Sequence, residues 1–318
     1  NRGVPVFFFI AMVMSVYLSR LEQLRSAMQQ AQVDAYVVFS SDPHLSEYLP
    51  DYYQGRAWLS GFEGSAGSLV VTADFAGLWT DSRYWVQAET DLQDSGFELM
   101  RWGDGHTPEM VDWVAAHLQV GQTVAFDGQV VALSQSQTWQ KMADQSGLTL
   151  DQNVDLLAPI WPNRPELPCA PLFVHEPPFC QRHVSDNLQA VRSQMQQLGA
   201  QTHLISSLDD LAWLFNLRGS DVAYNPVFLA HALISQDKAT LFIDQRKITA
   251  QVAHYLYQQN IEVQPYSSLA DALAELSDST TLLVNPSAVT VGVLAAAKQV
   301  QLIQAANPST LLKACKNQ

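Results

Sequence analysis

Asp34-Ala-Tyr-Val-Val-Phe-Ser-Ser41 is followed by Trp58-Leu59, then Ser68-Leu-Val-Val-Thr72 and Leu78-Trp-Thr-Asp81. The same succession returns as Thr202-His-Leu-Ile-Ser-Ser207, Trp213-Leu214, Ala232-Leu-Ile-Ser235 and Leu241-Phe-Ile-Asp244. Aligning Ser41 with Ser207 gives an offset of 166, Asp81 with Asp244 one of 163, and the Trp-Leu pairs one of 155. The first copy therefore carries an insertion before its Trp-Leu pair and a shorter segment after it. Short apolar runs bounded by Asp, Ser and Pro read as buried strands. Alternating with helices and hairpins, they predict an α/β fold with a mixed sheet and helices on its faces, made twice.

Bulk properties agree with two copies. A chain of 318 residues is long enough for two cores, since a single core rarely grows past about 250–300 residues. Hydrophobic residues make up 47% and charged ones 15%, a globular balance. The net charge of −14 argues against nucleic acid, because phosphate binding needs clustered Lys and Arg. Val4 to Leu18 is almost unbroken apolar sequence, yet shorter than the ~20 residues that span a bilayer. Residues 1–17 are read as an upstream extension or a signal-like segment, with translation from Met14 the preferred version and no membrane partner expected.

Further along, periodicity predicts a helix over Leu18–Gln32 with Leu21, Leu24, Ala27, Met28 and Ala31 as its buried stripe. Thr107-Pro-Glu-Met110 reads as a helix start with Thr107 as N-cap, and a helix is expected over Ala288–Val300. Seven of the fifteen prolines lie between Pro159 and Pro178, which excludes a central helix or strand there and marks a strap between domains. The domains are placed at 18–158 and 184–307, with a Pro-rich linker at 159–183 and a further linker beginning over 308–318. Cys169 and Cys180 both fall in that strap, where a disulfide is open to them, but free thiols in a reducing compartment suit a chain of this size better.

Catalytic patterns are sparse. There is no HExxH, Walker loop or EF-hand loop. Gly61-Phe-Glu-Gly-Ser-Ala-Gly67 resembles a nucleophile elbow but has Glu63 where the pattern needs Gly, and it reads as a glycine-rich strand-entry loop. Asp209-Asp210 reads as helix capping, and Asp81 with Arg83 as a salt bridge. No metal ligands and no catalytic residues are assigned. The residues singled out for binding are Arg56 and Trp58, an Arg and a Trp in an insertion rich in Tyr and Gly, as on a substrate-binding rim. Two copies without a catalytic cluster point to scaffolding or substrate gating.

Several motifs in order carry a resemblance. Asp42-Pro-His-Leu-Ser-Glu-Tyr48, Arg56-Ala-Trp-Leu-Ser-Gly-Phe-Glu-Gly-Ser-Ala-Gly67 and Leu78-Trp-Thr-Asp-Ser-Arg-Tyr84 closely resemble the N-terminal domain of three-domain Xaa-Pro aminopeptidases (aminopeptidase P). Ile160-Trp-Pro-Asn-Arg-Pro165 and Leu214-Phe-Asn-Leu-Arg-Gly-Ser-Asp-Val-Ala-Tyr-Asn-Pro-Val-Phe228 are similar to the same family, whereas Phe179-Cys-Gln-Arg-His183 departs from it. The resemblance implies two creatinase-type, ribonuclease-H-like domains, and a third, pita-bread domain that this sequence lacks. That third domain would hold two manganese ions on two Asp, one His and two Glu. It further implies a cytoplasmic, oligomeric parent enzyme acting on peptides with proline at position 2, in which Arg56 pairs with a carboxylate and Trp58 walls the pocket. A non-enzymatic binding module, such as the creatinase-type domains of histone chaperones, is the rival reading.

Overall fold

The computed structural model describes residues 5–315, with side chains described from residue 16 onward. Residues 1–4 and 316–318 lie outside it, so the expected upstream extension and downstream linker are covered only in part. The chain divides into two units. The first holds the chain up to Ser41, Asp51–Gly128 and Gln135–Glu166; the second holds Asp42–Pro50, Gln129–Ser134 and the chain from Leu167.

The first unit runs α1 (Pro5–Ala31), β1 (Ala35–Val38), α2 (Gly55–Ser60), β2 (Ser68–Thr72), β3 (Ala76–Thr80), α3 (Trp85–Asp91), β4 (Glu98–Arg101), α4 (Met110–His117), β5 (Thr123–Phe126), α5 (Leu133–Ser146) and β6 (Thr149–Asp151). Its sheet order is β4-β3-β2-β1-β5-β6. The pairs β1–β2 and β2–β3 are antiparallel and the others parallel. Alternation along each strand sends residues to two cores. Tyr36, Val38, Leu69, Val71 and Leu78 meet Leu21, Leu24 and Met28 of α1 and Leu59 of α2. On the other face Phe39, Phe126 and Trp139 of α5 pack edge to face. Each such fully buried side chain contributes about 1.5–3 kcal/mol, which is why β1 is apolar on both faces.

The second unit runs β7 (Phe173–Val174), α6 (Val184–Gln197), β8 (Thr202–Ile205), α7 (Leu208–Leu214), β9 (Leu217–Arg218), β10 (Ala230–Ser235), β11 (Ala239–Ile243), α8 (Ala250–Gln258), β12 (Ile261–Pro265), α9 (Leu269–Ala274), β13 (Thr281–Val284), α10 (Val291–Leu294), β14 (Gln301–Gln304) and α11 (Ser309–Ala314). Its six-stranded sheet is ordered β12-β11-β10-β8-β13-β14. The antiparallel and parallel pairs fall in the same places as in the first unit. The expected duplication is therefore present strand for strand.

The ladders also correct one offset. With Asp81 and Asp244 each one residue past its hairpin, Trp79 pairs with Ser68 and Phe242 with His231. Leu69 then faces Val38, and Ala232 faces Ile205. Val38 and Ile205 are thus counterparts, which makes Ser40, not Ser41, the equivalent of Ser207. A one-residue slip exchanges the faces of a strand, so the difference matters. The Trp-Leu pairs do correspond: both close a helix followed two residues on by a left-handed residue, Gly61 (φ 82) and Asn216 (φ 49).

Three local readings differ from the structure, and a fourth differs in part. Helix α1 begins well before Leu18, and Ala31 of its expected stripe is exposed. Helix α4 begins at Met110 rather than at Pro108, with Glu109 in the N-cap position, while the Thr107 hydroxyl and backbone N–H donate to Asp104. Helix α10 is a single turn, capped by Thr290; beyond it Ala295 and Ala297 close tight turns onto Gly292 and Leu294, and this brings Ala296, Ala297 and Val300 onto the core without a longer helix. Asp209 and Asp210 lie in the first turn of α7, as expected, but Asp210 makes no hydrogen bond to the helix N-terminal amides. It accepts from Ser207 Oγ and Asn307 Nδ2, while Lys313 bridges it and Asp209. The three cysteines are free thiols. Among the described residues no helix is long and apolar enough to cross a membrane.

Candidate functional site

Both units have a loop between the first helix after the central strand and the next strand of the six-stranded sheet. In the first unit this is Gly61–Gly67. Arg56 lies on α2, one turn before it, and is 3% exposed. Its guanidinium donates to the carbonyls of Gly64 and Gly67 and lies 4.9 Å from the Phe62 ring centre. Its Nε is buried without a hydrogen-bond partner. Desolvation lowers its pKa to about 10, so it remains a cation at neutral pH. The structure therefore corrects the expected rim position of Arg56. Its side chain clamps the loop from within, and the exposed residues are Glu63 and Ser65, the latter bonded to Tyr84 Oη at 2.6 Å.

Trp58 is half-buried. Its indole stacks on Trp161 at 4.9 Å and 14°, and the Arg20 guanidinium sits 4.6 Å from its ring centre while donating to its carbonyl at 2.6 Å. The linker residue Trp161 thus packs in the first unit, as does Arg164, whose guanidinium covers Tyr52 and meets Asp155. Asp81 and Arg83 form the expected salt bridge at 2.8 Å, but Arg83 is 67% exposed and the pair is worth under about 1 kcal/mol.

Gly64 shows how tightly the loop is set. A Cβ there would lie 2.3 Å from Phe62 Cζ and 2.7 Å from Tyr84 Cδ1. Gly64→Ala is expected to destabilise the first unit by about 1–3 kcal/mol, seen as a lower urea midpoint at unchanged m-value. An unshifted midpoint would contradict the packing.

The second unit holds a polar centre that no sequence pattern announces. His44 Nδ1 lies 2.9 Å from the Ser206 carbonyl, which only accepts, so Nδ1 carries the proton. A neutral His44 then accepts at Nε2 from Tyr266 Oη (2.9 Å). The Tyr266 oxygen in turn accepts from His231 Nε2 (3.0 Å), leaving His231 Nδ1 to accept from Ser206 Oγ (2.9 Å). The four bonds close on Ser206 with every group used once. Burial, foremost, holds both imidazoles below their usual pKa, His231 well below. Beside them Lys247 donates to Asp221 Oδ2, with both side chains buried, and Leu229 N–H donates to the same oxygen at 2.7 Å. Histidines at positions 44 and 231 have no common spacing. Only the fold brings them together.

Among the described residues no group of three or more His, Cys, Asp or Glu side chains could hold a metal ion. The ring just described is saturated by its own hydrogen bonds. The described side chains thus do not fit a di-nuclear metal group.

Residues 20–155 match the creatinase/prolidase N-terminal domain family, and residues 163–318 match a second family of the same description. Among curated proteins, "Aminopeptidase P2" of Arabidopsis thaliana is 36% identical over 270 residues, covering 84% of this chain and 38% of its own length. "Xaa-Pro aminopeptidase 2" of Rattus norvegicus is 32% identical over 309 residues, covering 94% of this chain and 45% of its own length. This chain thus spans less than half the length of these relatives. The solved X-prolyl aminopeptidase of Caenorhabditis elegans, described as a cytosolic enzyme with a di-nuclear active site, superposes with a TM-score of 0.88 at 27% identity, over 95% of this chain and 52% of that one. Two successive family matches, on two sheets of one topology, show that the chain belongs to the creatinase/prolidase N-terminal domain family and carries that domain twice.

Proposed function

We propose that this chain is the non-catalytic N-terminal region of a metal-dependent aminopeptidase that hydrolyses the bond between a first residue and a proline at position 2. The observation carrying this reading is the likeness, over 95% of the chain, to an X-prolyl aminopeptidase of which it covers about half. The two manganese ions that such a reaction uses would be held outside residues 1–318, where they would activate water and polarise the scissile carbonyl. The role of this chain is to shape access to that centre, in a cytoplasmic homo-oligomer. Arg56 acts as a positioning residue, holding the Gly61–Gly67 loop so that Glu63 and Ser65 face outward, and Trp58 stiffens its base against Trp161.

The test is manganese-dependent release of the first residue from an Xaa-Pro peptide. A protein extended past Gln318 along its reading frame is expected to be active, and the 318-residue protein inactive. In the extended protein Arg56→Lys keeps the charge but loses the fork that spans two carbonyls. It is expected to lower kcat/KM at least about tenfold, chiefly through KM. Cleavage by the 318-residue protein alone would overturn the reading. A full-length protein that binds peptides without cleaving them would establish the binding-module reading instead.

A further inference from the structure

The counterpart of the Gly61–Gly67 loop in the second unit is the segment from Asn216 to Leu229, between α7 and β10. At its tip Tyr224 is 108% exposed, its whole ring in solvent, and its backbone is left-handed at φ 60. An aromatic residue rarely takes that conformation, and burying the ring would normally be favourable. Both features are enforced from below. Val222 and Asn225 form a bridge around the tip, with Asn225 N–H donating to the Val222 carbonyl at 3.2 Å. Asp221 N–H donates to the Val227 carbonyl, and the Asp221 carboxylate holds Leu229 N–H and the buried Lys247 ammonium. A buried ion pair therefore supports a rigid pedestal with a bare aromatic at its end. Pre-organised aromatic anchors of this kind supply most of the energy of protein interfaces, because little conformational freedom is lost when they dock.

What lies beside the pedestal indicates its partner. Asn225, Pro226 and Val227 line a groove of about 340 Å³ together with Trp213 and with Lys313 and Ala314 of α11. Helix α11 is the last described element, fixed there by Lys313 to Asp209 and Asp210. Sequence continuing from it starts at the foot of the Tyr224 loop, and the relatives extend far past the matched N-terminal portion. We propose that Tyr224 is the anchor of an intramolecular interface, and that its ring inserts into the domain that follows residue 318, a proposal that rests on the reading of the chain as part of a longer peptidase.

Hydrogen exchange and melting of the 318-residue and extended proteins test it. In the extended protein the amides of residues 222–226 are expected to exchange at least about tenfold more slowly than in the 318-residue protein. Tyr224→Asn keeps a residue that tolerates the left-handed turn but removes the ring. Tyr224→Gly removes the strain as well. In the 318-residue protein Asn is expected to be neutral and Gly to be neutral or to raise Tm by about 2 °C. In the extended protein both are expected to lower Tm and to abolish the added protection. Equal exchange in the two proteins, the same response to the substitutions in both, or a gene encoding nothing beyond Gln318 would overturn the proposal. Peptidase activity is a separate readout. Protection without cleavage would leave the interface standing and remove the enzymatic reading, while cleavage without protection would do the reverse.

Discussion

Lys247→Ala is expected to destabilise the second unit by about 3–5 kcal/mol, because it leaves Asp221 as an uncompensated buried charge. Side-chain exposures of 1% and 0% for the pair put it beyond solvent screening. One carboxylate oxygen, Oδ1, already lacks a hydrogen-bond partner, so no spare donor stands ready to replace the ammonium. The double substitution Lys247→Met with Asp221→Leu is expected to recover most of the loss, since desolvating both charges costs nearly as much as their attraction returns. The remainder reports the Leu229 N–H left without its acceptor. Urea unfolding read by hydrogen exchange at β10 and β11 resolves the second unit. Trp213 also serves as a reporter, being the single tryptophan of that unit. A loss below about 1 kcal/mol for Lys247→Ala would mean that the pair is hydrated in solution.

Acid should weaken the same unit well before its carboxylates protonate. His203 is fully buried on β8, donates through Nδ1 to the Leu283 carbonyl at 2.9 Å, and has no partner for Nε2. Desolvation drives its pKa down to about 4. The unfolded chain takes up this proton near pH 6.5, whereas the folded one refuses it until about pH 4. The stability from a neutral His203 is therefore complete above about pH 6.5 and is lost progressively as pH falls toward 4. Its full value is about 3 kcal/mol. His44 and His231 act in the same direction, since a second proton on either removes an acceptor from the closed ring and sets a cation 4.5 Å from the other imidazole. Asp42 and Asp221 oppose this on His44, and Lys247 reinforces it. Measured stability of the second unit should fall between pH 7 and pH 4.5, and His203→Gln should flatten part of that slope. A level profile over this range would refute the buried neutral imidazoles.

Much of the architecture was legible in the residues. The apolar runs at Tyr36–Val38 and Leu204–Ile205, the hairpins and the repeated Trp-Leu pair led to two α/β units, because strand burial on both faces leaves an unmistakable composition. Elements without such a signature were missed or misplaced. Helix α2, in the Tyr-rich insertion, has no apolar stripe of its own and forms because Leu59 enters the first core. The Ala-rich tract after Val291 looks helical by propensity, yet packing closes it as turns. The candidate site fared similarly. Arg56 and Trp58 stand out in the sequence, but residue type could not distinguish an exposed rim from a buried clamp.

Sequence by itself determined the two-copy α/β plan and the family, because period-two burial and motif order are local properties that survive without coordinates. Tertiary structure alone decided where charge and polarity are buried. The ring joining His44, Ser206, His231 and Tyr266 and the pair Asp221–Lys247 assemble bonded partners 25 to 222 positions apart, and no spacing encodes them. Such groups are held together by the exclusion of water, which belongs to the packed molecule and not to any stretch of its chain.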